Sequence, residues 1–315
     1  MDNKNVTIIT AIHLLGFQTP QSITLLVFFL FLIIYCVTLC GNILIITLVS
    51  YSRFLRAPMY FFLSQLAVSD ILISNVILPN MLHGFLMEKP TMLSIYQCII
   101  QFCFFAASES LESLLLTLMS YDRYLAICRP FHYTMIMSYQ LSWITIITSW
   151  SLSFLPVLIY ILTLPALQFC GPNIIDHFYC DLEPILQLSC SDTTIVHIEA
   201  TSISVILGVI PFFLIILSYF YFIITIFKIP SLTGRQKAFS TCSSHLTVVS
   251  IFYGTILCVY LVPRTGQTWN ISKFVSLLYT VVTPLLNPII YSLRNKELKQ
   301  VQYDIFKQSV ISNNN

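Results

Sequence analysis

Charge is what this sequence has least of. Only 9% of its 315 residues are charged, against about 25% in soluble domains. Hydrophobic residues make up 57% and mean hydropathy is +0.84. So few charges cannot cover a water-facing surface, so most of the surface faces lipid. A net charge of +2 without a basic run gives nucleic acid nothing to bind. Low-complexity segments and internal repeats are absent. No Cys/His spacing suits zinc, and no Ser-His, Cys-His or His-Glu-x-x-His arrangement marks a catalytic centre. The first 22 residues lack the basic-then-apolar layout of a cleaved leader. The first long apolar segment is therefore expected to act as the insertion signal and to stay.

What is present is a series of apolar segments of the roughly 20 residues that cross a bilayer. Seven qualify: Ile23–Val49, Pro58–Leu82, Cys98–Cys128, Leu141–Leu164, Ile198–Phe227, Phe239–Val262 and Phe274–Leu293. The sixth is the weakest, because it begins "FSTCSSHLT". The reading is an all-α membrane protein, a single seven-span domain over 1–315: an outer N-terminus (1–22), a seven-helix bundle (23–293) and an inner tail (294–315). Eleven of the 15 lysines and arginines fall on the side of the C-terminus. The N-terminus is therefore expected outside and the tail in the cytosol. Two glycosylation sequons, at Asn5 and Asn270, lie on the expected outer side. In the tail, Leu298, Val301 and Ile305 form an i, i+3, i+7 stripe beside Lys296, Lys299 and Lys307. That pattern predicts a short amphipathic helix on the inner leaflet.

Four of the ten cysteines, Cys98, Cys170, Cys180 and Cys190, fall on the outer side. An even number in an oxidising compartment suggests two disulfides, with three pairings open. The other six read as apolar packing residues.

Ionisable groups inside spans are costly and functional by default. Counting about 1.5 Å per residue from Cys98 puts Glu109 roughly 16 Å and Glu112 roughly 21 Å down span three, with Arg123 roughly 37 Å down at the inner interface. Asp70 lies about 18 Å from the inner start of span two, so Asp70 and Glu112 share a mid-membrane layer that Asn42 and Asn287 also reach. Two carboxylates in low dielectric do not both ionise unpaired. Either one is protonated or a small cation sits between them, and oxygen ligands of this kind suit sodium. An aspartyl-protease pair is disfavoured, because neither acid lies in a Gly-x-Gly-Asp segment. His245, beside Ser244, reads as an interfacial polar residue. Seven unlike spans also do not suggest a transporter with related halves.

The motifs narrow the class. Asp122-Arg123-Tyr124 ends span three and Asn287-Pro288-x-x-Tyr291 lies late in span seven, as in rhodopsin-like G-protein-coupled receptors. "PMYFFLSQLAVSD" (58–70), "MSYDRYLAICRPFHYT" (119–134), "SY" (218–219), "KAFSTCSSHL" (237–246) and "PLLNPIIYSLRN" (284–295) resemble the olfactory receptor signatures in order and spacing over nearly the whole chain. "HFYCDLEPILQLSCSDT" (177–193) resembles the family's long second outer loop, and Tyr253 stands where many other receptors of the superfamily carry tryptophan.

The resemblance implies a plasma-membrane receptor, not an enzyme, that binds a small odorant and activates the stimulatory olfactory-type G protein, raising cyclic AMP. It implies that Arg123 is held by Asp122 at rest and released by agonist. Tyr124, Tyr219, Pro288 and Tyr291 then belong to the same switch. It implies the pairs Cys98–Cys180 and Cys170–Cys190. A light receptor is disfavoured, since Lys273 lies at the outer end of span seven and not mid-span. The alternatives are a rhodopsin-like receptor for some other ligand, or a channel-type receptor of opposite orientation. Helical spacing predicts the ligand pocket. Phe102, Phe105, Ala106, Glu109 and Ser110 would line it from span three. Ile203, Ile206 and Leu207 would face them from span five, with Tyr253, Ile256, Leu257 and Tyr260 from span six. Leu277 and Thr280 would complete it from span seven. No cofactor is expected apart from the possible sodium ion.

Overall fold

In the computed structural model, residues 9–52, 54–87, 89–170, 172–261 and 269–313 are described. Asn5 lies outside them, as do the side chains of Asn270, Tyr260 and Ile305. Seven helices are long and apolar enough to cross a membrane. Span one is Gln21–Tyr51, span two Pro58–Met87, span three Ile95–Cys128 and span four Tyr139–Ala166. Span five is Thr194–Lys228 and span six Leu232–Leu261. Span seven begins at Trp269 and ends at Arg294. A tail helix, Lys296–Asn313, follows.

The bundle has an apolar core like that of a soluble protein, but its outside is apolar too. Leu25, Leu26, Phe29 and Ile33 of span one are exposed, while Asn42, Asp70, Glu112 and Asn287 are buried. Lipid accepts apolar side chains, so polar groups must turn inward to find partners. Span three is the central element. Its most apolar stretch is 67% buried, against 11% for that of span one at the rim.

Prolines explain the irregular helices. Pro211 and Pro284 lack the N–H that would bond the carbonyl four residues back. A π-turn stands just before each: Val205–Val209 in span five and Leu278–Val282 in span seven. Thr283 Oγ1 donates to the Leu278 carbonyl at 3.0 Å, serving an oxygen inside the second π-turn. Pro288 in turn frees the carbonyl of Pro284, and Asn42 Nδ2 of span one donates to it at 3.1 Å. Gly41 allows this approach, for a Cβ there would stand 3.1 Å from the Pro288 ring.

The outer face holds a three-stranded sheet that the sequence did not announce. Strand β1 (Ala11–Leu14) pairs antiparallel with β2 (Thr91–Ser94) and parallel with β3 (Ile174–Ile175). It ties the N-terminal segment to the first and second outer loops and buries Ile12 and Leu14. Strands of two to four residues are too short for an alternation signal. The structure joins Cys98 to Cys180 and Cys170 to Cys190, with Cα separations of 5.4 and 5.9 Å. These are the two pairs that the resemblance implies. Cys180 is thereby fixed over the outer end of span three, and the loop residues before it become a plug: Phe178 and Tyr179 are fully enclosed.

The tail helix is anchored to the bundle. Asn295 Oδ1 caps it, accepting from the N–H of Glu297 and Leu298 at 3.0 and 3.2 Å. Leu298 and Val301 are buried in the inner core cluster with Leu48, Tyr60 and Tyr291.

Candidate functional site

At the inner end of span three, Asp122 is fully buried and its carboxylate has two partners. Arg123 Nε donates to Oδ2 at 3.0 Å, with a second, closer contact from the same guanidinium. Tyr133, on the inner-loop helix Pro130–Ile136, donates to Oδ1 at 2.8 Å. Burial, and then the Asp122 charge, pushes the Tyr133 phenol above its ordinary range, so it remains a donor. The arginine is therefore latched to its neighbour, and the aspartate is itself held by the inner loop.

His245 corrects the reading from sequence. It is not interfacial but fully buried. Its Nε2 lies 3.1 Å from the Leu116 carbonyl, an atom that can only accept, so Nε2 carries the proton. Nδ1 then accepts from the Tyr219 hydroxyl at 2.5 Å. One neutral imidazole thus joins spans three, five and six. Tyr219 is occupied by that bond. Tyr291 is fully buried, and its hydroxyl has no hydrogen-bond partner among the described residues. Tyr124, half-buried, lies between the rings of Tyr121 and Tyr221 at 6.2 and 6.1 Å.

At mid-membrane, Asn287 Nδ2 donates to both Asp70 oxygens, at 3.0 and 3.1 Å. The carboxyls of Asp70 and Glu112 are within hydrogen-bonding reach of each other. Two buried oxygens, Asn42 Oδ1 and Glu112 Oε1, have no partner among the described residues. Carboxyl and amide oxygens are the ligand type that small hard cations take, but Asn42 is bonded to the Thr38 and Pro284 carbonyls and Asn287 turns its Nδ2, not its oxygen, to Asp70. No group of three or more His, Cys, Asp or Glu able to hold a metal exists among the described residues.

The outer half departs from the expected pocket in several places. Ile206 and Leu257 are 57% and 48% exposed and turn away from the bundle. The π-turn across Val205–Val209 rotates span five locally, so that Leu207 is buried and Ile203 half-buried while Ile206 faces out. Leu257 lies one position beyond the inward stripe, which runs through Tyr253 and Ile256. Phe102 packs edge-on against Tyr160 of span four at 5.1 Å, whereas Phe105 packs against Tyr179 and Tyr279 at 5.1 and 5.7 Å. These two phenylalanines therefore serve different clusters rather than one wall. Ala106, Glu109, Ser110 and Leu277 are half-buried. Thr280 is fully buried and donates to the Ser276 carbonyl of its own helix at 2.8 Å. Tyr253 meets Ser113 Oγ at 2.8 Å.

Sequence reasoning missed Tyr179 and Tyr279, whose hydroxyls touch under the outer loop. The signal was available in "HFYC", next to a cysteine bound to span three. It placed Lys273 at the outer end of span seven but not its burial or its partners: the ammonium donates to Asp176 of the same loop at 2.5 Å and to the Gly16 carbonyl at 3.1 Å. A cavity of about 450 Å³ opens among Phe17, Met81, Phe85, Lys89, Thr91 and Phe178. None of the expected lining residues borders it.

Seven membrane-crossing helices around a buried polar centre, with an arginine latched to an aspartate at the inner end of the third, define the class of G-protein-coupled receptors. The family model described as "Olfactory receptor" matches residues 31–309. The chain is 43% identical to Olfactory receptor 5G26 of Mus musculus over 308 residues, covering 98% of this chain and 96% of that one. It is 45% identical to Olfactory receptor 10A7 of Homo sapiens over 309 residues, covering 98% and 97%. The chain belongs to the olfactory receptor family. It is an odorant-sensing receptor of the plasma membrane, not an enzyme, and it takes a small ligand and couples to a G protein.

Proposed function

We propose that a small, mostly apolar odorant binds between spans three, five, six and seven and drives coupling to the stimulatory olfactory-type G protein, raising cyclic AMP. The lining comprises Phe105, Ala106, Glu109, Ser110, Ile203, Leu207, Tyr253, Ile256, Leu277 and Thr280. The observation that carries the reading is the closed inner latch, in which Arg123 is engaged by Asp122 instead of facing the cytosol. A ligand that prefers the open state shifts the population towards it. Tyr219 and Tyr291 stand beside the latch, and Pro288 weakens the helix that carries Tyr291. Phe131 and Met135 of the inner-loop helix are 91% and 78% exposed and offer apolar anchors to a partner. The N-terminus faces outward with Asn5 glycosylated, which the lysine and arginine asymmetry supports. Cells lacking the stimulatory α subunits test the coupling. Odorant-evoked cyclic AMP should vanish there and return when the olfactory-type subunit is restored. A full response without any stimulatory subunit would exclude it.

Asp70, Glu112, Asn42 and Asn287 form a sodium site in this reading, supported by the unpartnered oxygens of Asn42 and Glu112. Replacing external sodium should change agonist potency in wild type, and Glu112→Gln should flatten that dependence. An unchanged sodium dependence in the mutant would remove the site.

A further inference from the structure

We propose that the outer cavity is a second ligand site, which takes a free carboxylic acid with an apolar chain of medium length and receives its carboxylate at Lys89. The proposal does not rest on the ligand site in the bundle. The cavity holds about 450 Å³, within the range of small-molecule sites. Its walls come from the N-terminal segment, the outer ends of spans one and two, the first outer loop and Phe178. Two glycines shape it. Gly16 takes a φ of 60° where the chain turns from strand β1 towards span one. Gly84 lets the first outer loop close in, for a Cβ there would stand 3.0 Å from Thr91 Oγ1. Phe178 separates the cavity from the bundle. Its ring stacks on Phe17 at 5.2 Å, while its neighbour Tyr179 packs on Phe105 at 5.1 Å.

The lining is graded. Gln18, Gln21, Lys89 and Pro90 are exposed at the rim, whereas Leu14, Met81, Phe85 and Phe178 are buried. Span two runs outward and ends at Met87, so Met81 lies about 9 Å below that end. A guest therefore meets polar groups at the rim and apolar ones beneath. The charge at the rim has one sign, since Lys89 is the one charged residue among the described residues that line the cavity. No hydrogen bond or ion pair engages its ammonium among the described residues. Glu88, its neighbour in sequence, lies outside them. Half-buried Asn80 accepts from Thr91 Oγ1 at 3.3 Å through its backbone carbonyl. Its side-chain amide has no partner among the described residues and can donate into the cavity. A carboxylic acid is ionised at neutral pH, and a carboxylate takes a charge-assisted bond from an ammonium. Its chain would cover Met81, Phe85 and Phe178. An amine would meet like charge at the rim, and a hydrocarbon would leave Lys89 and Asn80 unserved.

The test uses the purified full-length receptor and octanoic acid carrying a photoreactive diazirine on its chain. Photolysis should label peptides from residues 14–24 or 80–91, and excess octanoic acid should remove the label. 1-Octanol and octylamine should compete only at concentrations at least about threefold higher. Lys89→Gln should weaken octanoic acid by about fivefold, the upper scale for an exposed charge pair, and leave 1-octanol unchanged. Lys89→Arg should keep the preference for the acid. Leu15→Trp and Asn80→Phe fill the cavity from opposite walls, and each should cut labelling at least about tenfold at normal surface level. Label that falls on spans five and six, a Lys89→Gln receptor that binds the acid as wild type does, or an alcohol that competes equally well overturns the proposal. Phosphatidylcholine nanodiscs with and without phosphatidylglycerol separate the sources of the anion. Protection by phosphatidylglycerol but not by octanoic acid would assign the cavity to a lipid headgroup and overturn it too.

Discussion

Arg123→Ala is expected to abolish agonist-evoked cyclic AMP while the receptor still reaches the cell surface. Asp122→Asn should do the opposite at rest and raise basal signalling. The two arms follow from one piece of geometry. Arg123 and Tyr133 both donate to the buried Asp122 carboxylate, so the closed state is held by charge-assisted bonds. Such bonds contribute about 1.5–3 kcal/mol each, or roughly 10- to 150-fold in the balance between closed and open states. Arg123 itself is partly solvent-reached, which places its share at the lower end. Tyr133→Phe removes one neutral donor and should raise basal activity less than Asp122→Asn. Measuring basal and evoked cyclic AMP against surface level for the three variants checks the order. Full evoked signalling in Arg123→Ala, or a silent Asp122→Asn at normal surface level, would contradict it.

The second large effect is expected from the outer disulfides, and they should not be equal. Cys98–Cys180 closes a loop with a sequence separation of 82, and Cys170–Cys190 one of 20. Chain entropy gives about 4.5 kcal/mol for the first and about 3.3 kcal/mol for the second. Spans already inserted in the bilayer restrict the unfolded chain, so both figures are upper bounds. Position reinforces the difference. Loss of Cys98–Cys180 also frees Phe178 and Tyr179, which plug the outer bundle, whereas Cys170–Cys190 ties the loop to itself. Cys98→Ser should therefore lower surface receptor by tenfold or more, and Cys170→Ser only in part. Flow cytometry with an N-terminal tag reads both. A Cys98→Ser receptor at wild-type surface level would contradict the structural role given to the plug.

Much of the architecture was legible because lipid imposes a strong and simple rule. A segment such as Ile23–Val49 has no other stable home, and the observed helix, Gln21–Tyr51, extends it by two residues at each end. The buried acids were equally legible, since Asp70 and Glu112 stand out against apolar sequence and helical rise sets their common depth. What failed was local rotation. Helical periodicity assumes 3.6 residues per turn, and the π-turn before Pro211 breaks it across the very residues, Ile203 to Leu207, whose facing mattered. The outer sheet was hidden for another reason. Its strands are short and its pairs join residues 11–14, 91–94 and 174–175, a long-range match that no local pattern encodes. His245 illustrates the middle ground. Its type and position were visible, but its burial between Tyr219 and Leu116 depends on how three helices meet.

The account's central claim is that ligand bound within the bundle opens the inner latch to a G protein. Nucleotide exchange on the purified olfactory-type stimulatory G protein, driven by the purified receptor, tests it most directly. A ligand that stabilises the receptor should accelerate exchange at least tenfold with wild type and leave Arg123→Ala at the basal rate. A receptor that binds the ligand yet leaves exchange unchanged, or an Arg123→Ala variant that accelerates it as fully as wild type, would contradict the account.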